Sequence, residues 1–497
     1  MSIKLRSRGL ALCVVAAMVL ALGAAGLLSA ASTTKSLSTN FTLINLGSDV
    51  AHVVAQYLTD SGAPWPADAA NTNFTLAANG GQAVARQYFD ATLANGRGSV
   101  VLSSDQPLGA VVQILARNQT PTSGAYSGFS AGSNSFYIPL VARRGPSASG
   151  TVNSQIIVQN ADTVPLTVTV SLVPRSGYSG SYNKTIPNLQ PGVSYYYDLD
   201  DEANLPAPWF GSAVATASGS GQITVVSNLF AGPDTMQTFD AFPSNSPYTT
   251  WLVPLFTSRL PNSLSTPISV QNLSGGTLNP GDLDVECTTN TSPPSSPATF
   301  TMSNSIAVAN NESYSFNPVT DLSIPSNWQG SCRITATGNV VAFVQMRLVA
   351  TANAAAYEAI RADGTDKRVF VPLAAKRLAN GFATAVTIQN LSSSSQANVT
   401  FVYTTSPETL AKYPSTPATI TVGPYPIAAG GSLVHNHRLT GNGSATGPYG
   451  IHNLPDDWQG SLVVTSADQP IHGFVQLTYY TAQSGDTFMA HDAFTQP

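Results

Sequence analysis

Five of the six histidines fall in the last stretch of this 497-residue chain: His435, His437, His452, His472 and His491. On an extended strand, side chains two residues apart share a face, so His435 and His437 have the spacing of a two-imidazole metal site. A competing reading comes from elsewhere in the chain. His435 lines up with Tyr197 and Phe316, and His491 with Phe239 and Tyr357, which reads as aromatic packing positions refilled by imidazole. A second candidate is the acidic run Asp198, Asp200, Asp201 and Glu202, whose hard oxygens could chelate calcium. It lacks a full ligand ladder, and the matching stretches around Asn317 and Asn436 are not acidic, so a solvated loop is the alternative. Tyr195, Tyr196 and Tyr197 in a row must send one ring to the opposite face from the other two, and exposed rings of this kind stack on sugars. Tyrosine also fills strands by propensity alone. No nucleophile elbow, His-Glu-x-x-His helix or phosphate loop occurs. The expectation is a protein that is not an enzyme and needs no cofactor.

The elements that hold these residues are repeated. Gly-Ser followed by an apolar strand recurs at Ser99, Ser212, Ser331 and Ser461, at spacings of 113, 119 and 130 residues. A strand-ending asparagine recurs in step at Asn45, Asn160, Asn272 and Asn390, at spacings of 115, 112 and 118. Units of this size exceed the roughly 20 to 50 residues of solenoid repeats, so whole domains were duplicated. The boundaries expected are 32–133, 134–248, 249–366 and 367–497, the first unit being degenerate because it lacks a Pro-containing opening strand.

Three units open alike, with Ile138 Pro139 Leu140, Val253 Pro254 Leu255 and Val371 Pro372 Leu373. Proline removes a ladder donor, which places this strand at an edge or at a crossing between sheets. Alternating strands ending in Gln159 Asn160, Gln271 Asn272 and Gln389 Asn390 follow, and the asparagine suits a turn whose backbone its amide bonds. Asn272 and Asn390 also sit in glycosylation sequons, but Asn45 and Asn160 do not, so the turn accounts for the residue. Trp209, Trp328 and Trp458 stand two positions before the glycine of the Gly-Ser junction, where the indole is expected to cap one end of a core. About seven short strands per unit, with no sustained helical period, predict an all-β chain of four tandem antiparallel β-sandwich domains.

Lys4, Arg6 and Arg8 precede an apolar run from Leu10 to Leu28, followed by Ser29, Ala30 and Ala31, the layout of a secretory signal peptide over residues 1–31. After cleavage no membrane span is expected, and 18 basic residues remain against 26 acidic ones, a balance that disfavours nucleic acid and anionic membrane. Only 9% of residues are charged, against about 25% in typical globular chains, so the surface must be made of Ser, Thr, Asn, Gln and Gly. Cys287 and Cys332 outlast cleavage and read as one disulfide, a pair able to bridge the two sheets of the third unit.

The pattern resembles the tandem immunoglobulin-like repeats of proteins secreted by bacteria, over residues 32 to 497, although the immunoglobulin Cys, Trp, Cys order is missing. The resemblance implies a secreted or cell-surface structural or adhesive protein: a stalk, surface-layer or matrix component. Its partners would be cell-surface or matrix components, polysaccharide, or other copies of itself. The alternative is a carbohydrate-binding module array. Short connections near residues 134, 249 and 366 predict a semi-rigid string of domains.

Overall fold

Polar residues on the repeat markers turn out to do two jobs, shaping each unit and joining it to the next. The computed structural model describes residues 36–93, 95–116, 120–147, 150–289, 295–439, 454–481 and 485–495, together with the backbone of 16–18. The chain is all-β and every named strand pairing is antiparallel. Among the described residues only the short helices Ala69–Thr72 and Pro407–Lys412 and two single 3-10 turns interrupt it.

The fourth unit shows the plan. One sheet runs Thr419–Ile427, Ala397–Thr405, Trp458–Ser466, Arg368–Lys376, Phe494–Thr495, and the other runs Ser432–Asn436, Phe382–Asn390, Ile471–Tyr479, Phe488–Asp492. The second unit repeats this order from Tyr182–Leu189 to Phe242–Pro243 in one sheet, with Gly150–Asn160, Ile223–Ala231 and Thr235–Asp240 in the other. In the third unit the corresponding strands are fused, because Trp328–Leu348 runs unbroken for 21 residues through both layers. Period-two burial explains the layers. In Ala397–Thr405 the residues Val399, Phe401 and Tyr403 are fully buried, while Thr400 and Val402 between them sit half-buried on the opposite face.

Trp209, Trp328 and Trp458 are fully buried, each with its indole N–H satisfied: by Gly180 O, Pro297 O and Thr405 Oγ1. Two residues on, the glycine is compulsory. A Cβ on Gly98, Gly211, Gly330 or Gly460 would lie 1.9 to 2.1 Å from the carbonyl oxygen of Leu58, Val173, Thr288 or Thr404 on the neighbouring strand. Gly460→Ala is therefore expected to destabilise the chain by about 3 kcal/mol, measurable as a lowered midpoint in urea.

The opening strands end in a cation that clamps the loop before the tryptophan. Arg143 donates to Leu205 O and Asp200 O, Arg259 to Pro318 O, Asp321 O and Ile324 O, and Lys376 to Leu454 O. Among the described residues from 36 onward, the first unit shows no such strand of its own. The backbone of Ala16–Met18 pairs with Gly98–Ser104 at that position, and the rest of the expected signal segment lies outside the described residues. No helix among the described residues is long and apolar enough to cross a membrane.

The semi-rigid string expected from the short connections is not what forms: the four units close into a ring. Ser99 Oγ donates to Gly192 O (2.6 Å), Ser212 Oγ to Asn311 O, Ser331 Oγ to Gly430 O (3.0 Å) and Ser461 Oγ to Gly80 O (2.6 Å). Each joint runs from one unit to the next, and the last returns to the first. The strands Ser123–Ser127, Thr235–Asp240, Asn353–Glu358 and Phe488–Asp492 pack in the same cyclic order around the centre. Apolar contacts follow: Phe239 stacks on Phe343 (4.3 Å), Tyr357 on Phe474 (4.0 Å), and Val111, Leu115 and Ala125 of the first unit join the core of the fourth. The physical reason lies in the strands Ser123–Ser127, Thr235–Asp240, Asn353–Glu358 and Phe488–Asp492, each of which pairs with one strand of its own unit and packs against the corresponding strands of both adjoining units. Burial across boundaries is what short connections permit but do not specify.

The turn asparagines brace the accepting side of each joint. Asn160 Nδ2 donates to Val164 O and Leu189 O while its Oδ1 accepts from Asp162 N, and Asn45, Asn272 and Asn390 repeat the wiring. All four are at most 1% exposed, so the sequons at Asn272 and Asn390 are inaccessible. Cys287 and Cys332 form a disulfide. It does not bridge the two sheets; the residues sit directly opposite each other on neighbouring strands of one sheet, because Leu283–Thr289 pairs edge to edge with Trp328–Leu348.

Candidate functional site

The two histidines on one face are packing elements of the fourth unit. His435 stacks on Phe401 with centroids 3.7 Å apart, and the Tyr403 hydroxyl lies 3.0 Å from His435 Nδ1 and 3.1 Å from His437 Nε2. The other His437 nitrogen is 2.7 Å from Thr384 Oγ1. Burial pushes both imidazoles down to about 3, His435 being lowered further by its neighbour and His437 by Lys376, so both rings are neutral at pH 7. His491 is buried at the position of Phe239 and Tyr357, and burial lowers it to about 4. His452 lies outside the described residues.

The acidic run is divided among structural partners. Asp198 accepts from Asp200 N and so caps the turn Leu199–Asp201, and the Asp200 carboxylate, itself buried, pairs with Arg144. Asp201 is exposed. Burial raises Asp198 to about 6. Among the described residues no group of three or more His, Cys, Asp or Glu side chains is arranged to hold a metal ion. The tyrosine row splits as the pleat requires. Tyr197 is buried in its own unit, while Tyr196 turns toward the first unit, donating to Gly98 O beneath the Arg97 guanidinium. Neither presents a free ring to solvent.

Two other constellations emerge that the residues' spacing did not announce. The first is at the ring centre, where each unit's closing motif delivers one polar residue: Ser127, Asp240, Glu358 and Asp492. Ser127 N donates to Asp240 Oδ2 (2.9 Å), Asp240 N to Glu358 Oε1 (2.7 Å), and Ser127 Oγ to Asp492 O (3.3 Å). Burial, then the Glu358 charge, pushes Asp240 and Asp492 well above the carboxylate range. Two residues before the strand Phe488–Asp492 lies Asp486, fully buried, whose carboxylate accepts from Met236 N, Ala354 N and Phe488 N. Its carbonyl accepts from Ser123 Oγ and its N–H donates to Pro121 O. One residue thus touches all four units.

The second is a cleft between the second and third units. Two adjoining cavities of about 340 and 270 Å³ share Pro146, Val152, Asn317, Thr320 and Arg347 in their walls. Arg175 enters the smaller one, its guanidinium 4.7 Å over the Phe210 ring and 5.4 Å over Tyr178. Arg347 donates to Gln345 Oε1 (2.9 Å), and Gln345 is oriented by donating to Gln237 Oε1 (2.7 Å). Burial, with Arg175 adding like charge, lowers Arg347 to about 10, which leaves it cationic at pH 7. Among the described residues neither guanidinium has a carboxylate within ion-pair distance. The signal existed in the sequence: Arg347 occupies the place held by Leu115, Phe230 and Thr478 in the sister units, all opposite the start of the central strand.

No family model matches the chain, and no curated protein matches it. Among solved structures, the chain described as the crystal structure of Thermotoga maritima 1070 is 12% identical with a TM-score of 0.19, aligning 96% of its own length to 23% of this chain; so distant a likeness carries no argument.

Proposed function

We propose that this chain is an exported, non-enzymatic structural or adhesive protein: a signal peptide over residues 1–31 followed by four immunoglobulin-like domains, acting as a surface-layer or matrix component. The observation that carries the reading is the use made of the repeated residues. The serines of the Gly-Ser junctions hold units to units and the turn asparagines brace the loops that accept them, so the residues duplicated in all four units served an assembly and not a reaction centre. Of the roles considered, a stalk suits the ring least, because closure leaves no extended dimension to act as a spacer. Low charge and a polar, hydroxyl-rich surface fit life outside the cell.

Cell fractionation with N-terminal sequencing tests it. The mature chain should begin after Ala31 and be recovered from the medium or the envelope, and cells lacking it should lose cohesion or attachment. Retention of the full-length chain in the cytoplasm would contradict the reading. The alternative, a carbohydrate-binding role, is favoured by the cationic cleft between the second and third units.

A further inference from the structure

A guanidinium withdrawn from water without a counter-charge is costly, and a protein keeps one where a ligand supplies the missing anion. Arg347 is half-buried in the cleft wall, flanked by a second cation, with Gln345 offering only a neutral acceptor. Arg175 is held over the Phe210 and Tyr178 rings, an arrangement that fixes a guanidinium while leaving its N–H edge available. Around the two cations the walls are neutral and mixed. Asn317, Thr320 and the hydrogen-bonded hydroxyls of Ser269 and Ser315 provide polar atoms, and Pro146 and Val152 provide apolar surface. The volumes are at the low end of small-ligand pockets.

We propose that this cleft binds the anionic sugar residues of an acidic polysaccharide, the carboxylate or sulfate oxygens lying between Arg175 and Arg347 and the sugar hydroxyls meeting Asn317 and Thr320. Planar, bidentate recognition of an oxyanion is what arginine does better than lysine. Hydroxyl and amide groups beside it read a polyhydroxylated ring, and a peptide carboxylate would leave them unused. The site is asymmetric within the ring, because no sister unit carries an arginine at the position of Arg347. The inference rests on the exported reading above, since such polymers are met outside the cell.

The test is affinity electrophoresis and calorimetry of the whole mature chain with polygalacturonate, dextran sulfate, neutral dextran and polyglutamate. Retention by polygalacturonate, by dextran sulfate or by both is expected, the pair of arms telling a carboxylate from a sulfate ligand, with retention falling as salt rises. Arg175→Met and Arg347→Met should each weaken binding by about tenfold or more, and Arg347→Lys should restore only part of it. The thermal midpoint separates this from a packing role: Arg347→Met should leave it unchanged or raised, because the variant removes an uncompensated cation. Failure to bind either acidic polymer, equal retention by polyglutamate, or wild-type binding by Arg347→Met would overturn the proposal. If the exported, closed protein binds no acidic polymer, only the site assignment falls; if it binds but is found inside cells, only the exported reading does.

Discussion

Lowering the pH from 7 to 5 should withdraw roughly 6 kcal/mol of stabilisation through three imidazoles that cannot charge where they sit, an effect opposed in the same interval by the buried carboxyls of Asp240 and Asp492. His435 and His437 are held at about 3 and His491 at about 4, against 6.5 for an unperturbed histidine. Depressed histidines bind fewer protons in the folded state than in the unfolded one between those values. Their contribution is complete above about pH 6.5 and is lost as pH falls toward the folded values. At pH 5 each accounts for about 2 kcal/mol, somewhat less for the His435–His437 pair, whose charges also oppose each other. Asp240 and Asp492 act in the opposite sense. Their raised folded values mean that stability declines as pH rises from about 4 through those values, so alkali also weakens the ring centre. Urea titrations from pH 5 to 9 of the parent and two variants separate the opposed effects. His435→Phe, which copies Phe316, should gain stability relative to the parent as pH falls from 7 to 5, and Asp492→Asn should gain relative to the parent as pH rises. A difference between parent and His435→Phe that stays constant from pH 7 to 5 would show that this ring is not buried neutral.

Asp486→Ala should cost about 3–5 kcal/mol and loosen the closure. The carboxylate receives N–H groups from the second, third and fourth units, and its removal leaves three buried donors without their acceptor. The loss should appear as a lowered urea midpoint and as faster proteolysis of the central strands. Asp486→Asn separates charge from geometry: its amide keeps one acceptor oxygen, so it should recover part of the loss. An alanine variant as stable as the parent would mean that the centre is held by apolar packing alone.

Much of the plan was legible in the chain. The alternation of Val399, Phe401 and Tyr403, the tryptophan before Gly-Ser and the asparagine turns fixed strands, core end and loop wiring, because each is a local requirement of backbone and side chain. His491 read as a refilled aromatic position, and it packs as one. What was not legible is relational. Ser461 reveals its partner only when Gly80, 381 residues away, is seen beside it. Asp240, Glu358 and Asp492 stood in plain view at the ends of three units, yet nothing in one unit says that these ends converge. Arg347 likewise differs from its sister residues, but the cleft it lines belongs to two units. The pairing of Cys287 with Cys332 was legible, but its place within one sheet was not, because residue spacing does not say which strands are neighbours.

Small-angle scattering of the mature chain tests ring closure most directly. A closed ring predicts a radius of gyration of about 25 Å, close to that of a compact chain of this length, whereas four domains end to end would give roughly 40 Å. The smaller value, unchanged with concentration, is the result expected; the larger one would contradict the joint between Ser461 and Gly80 and the ring built on it.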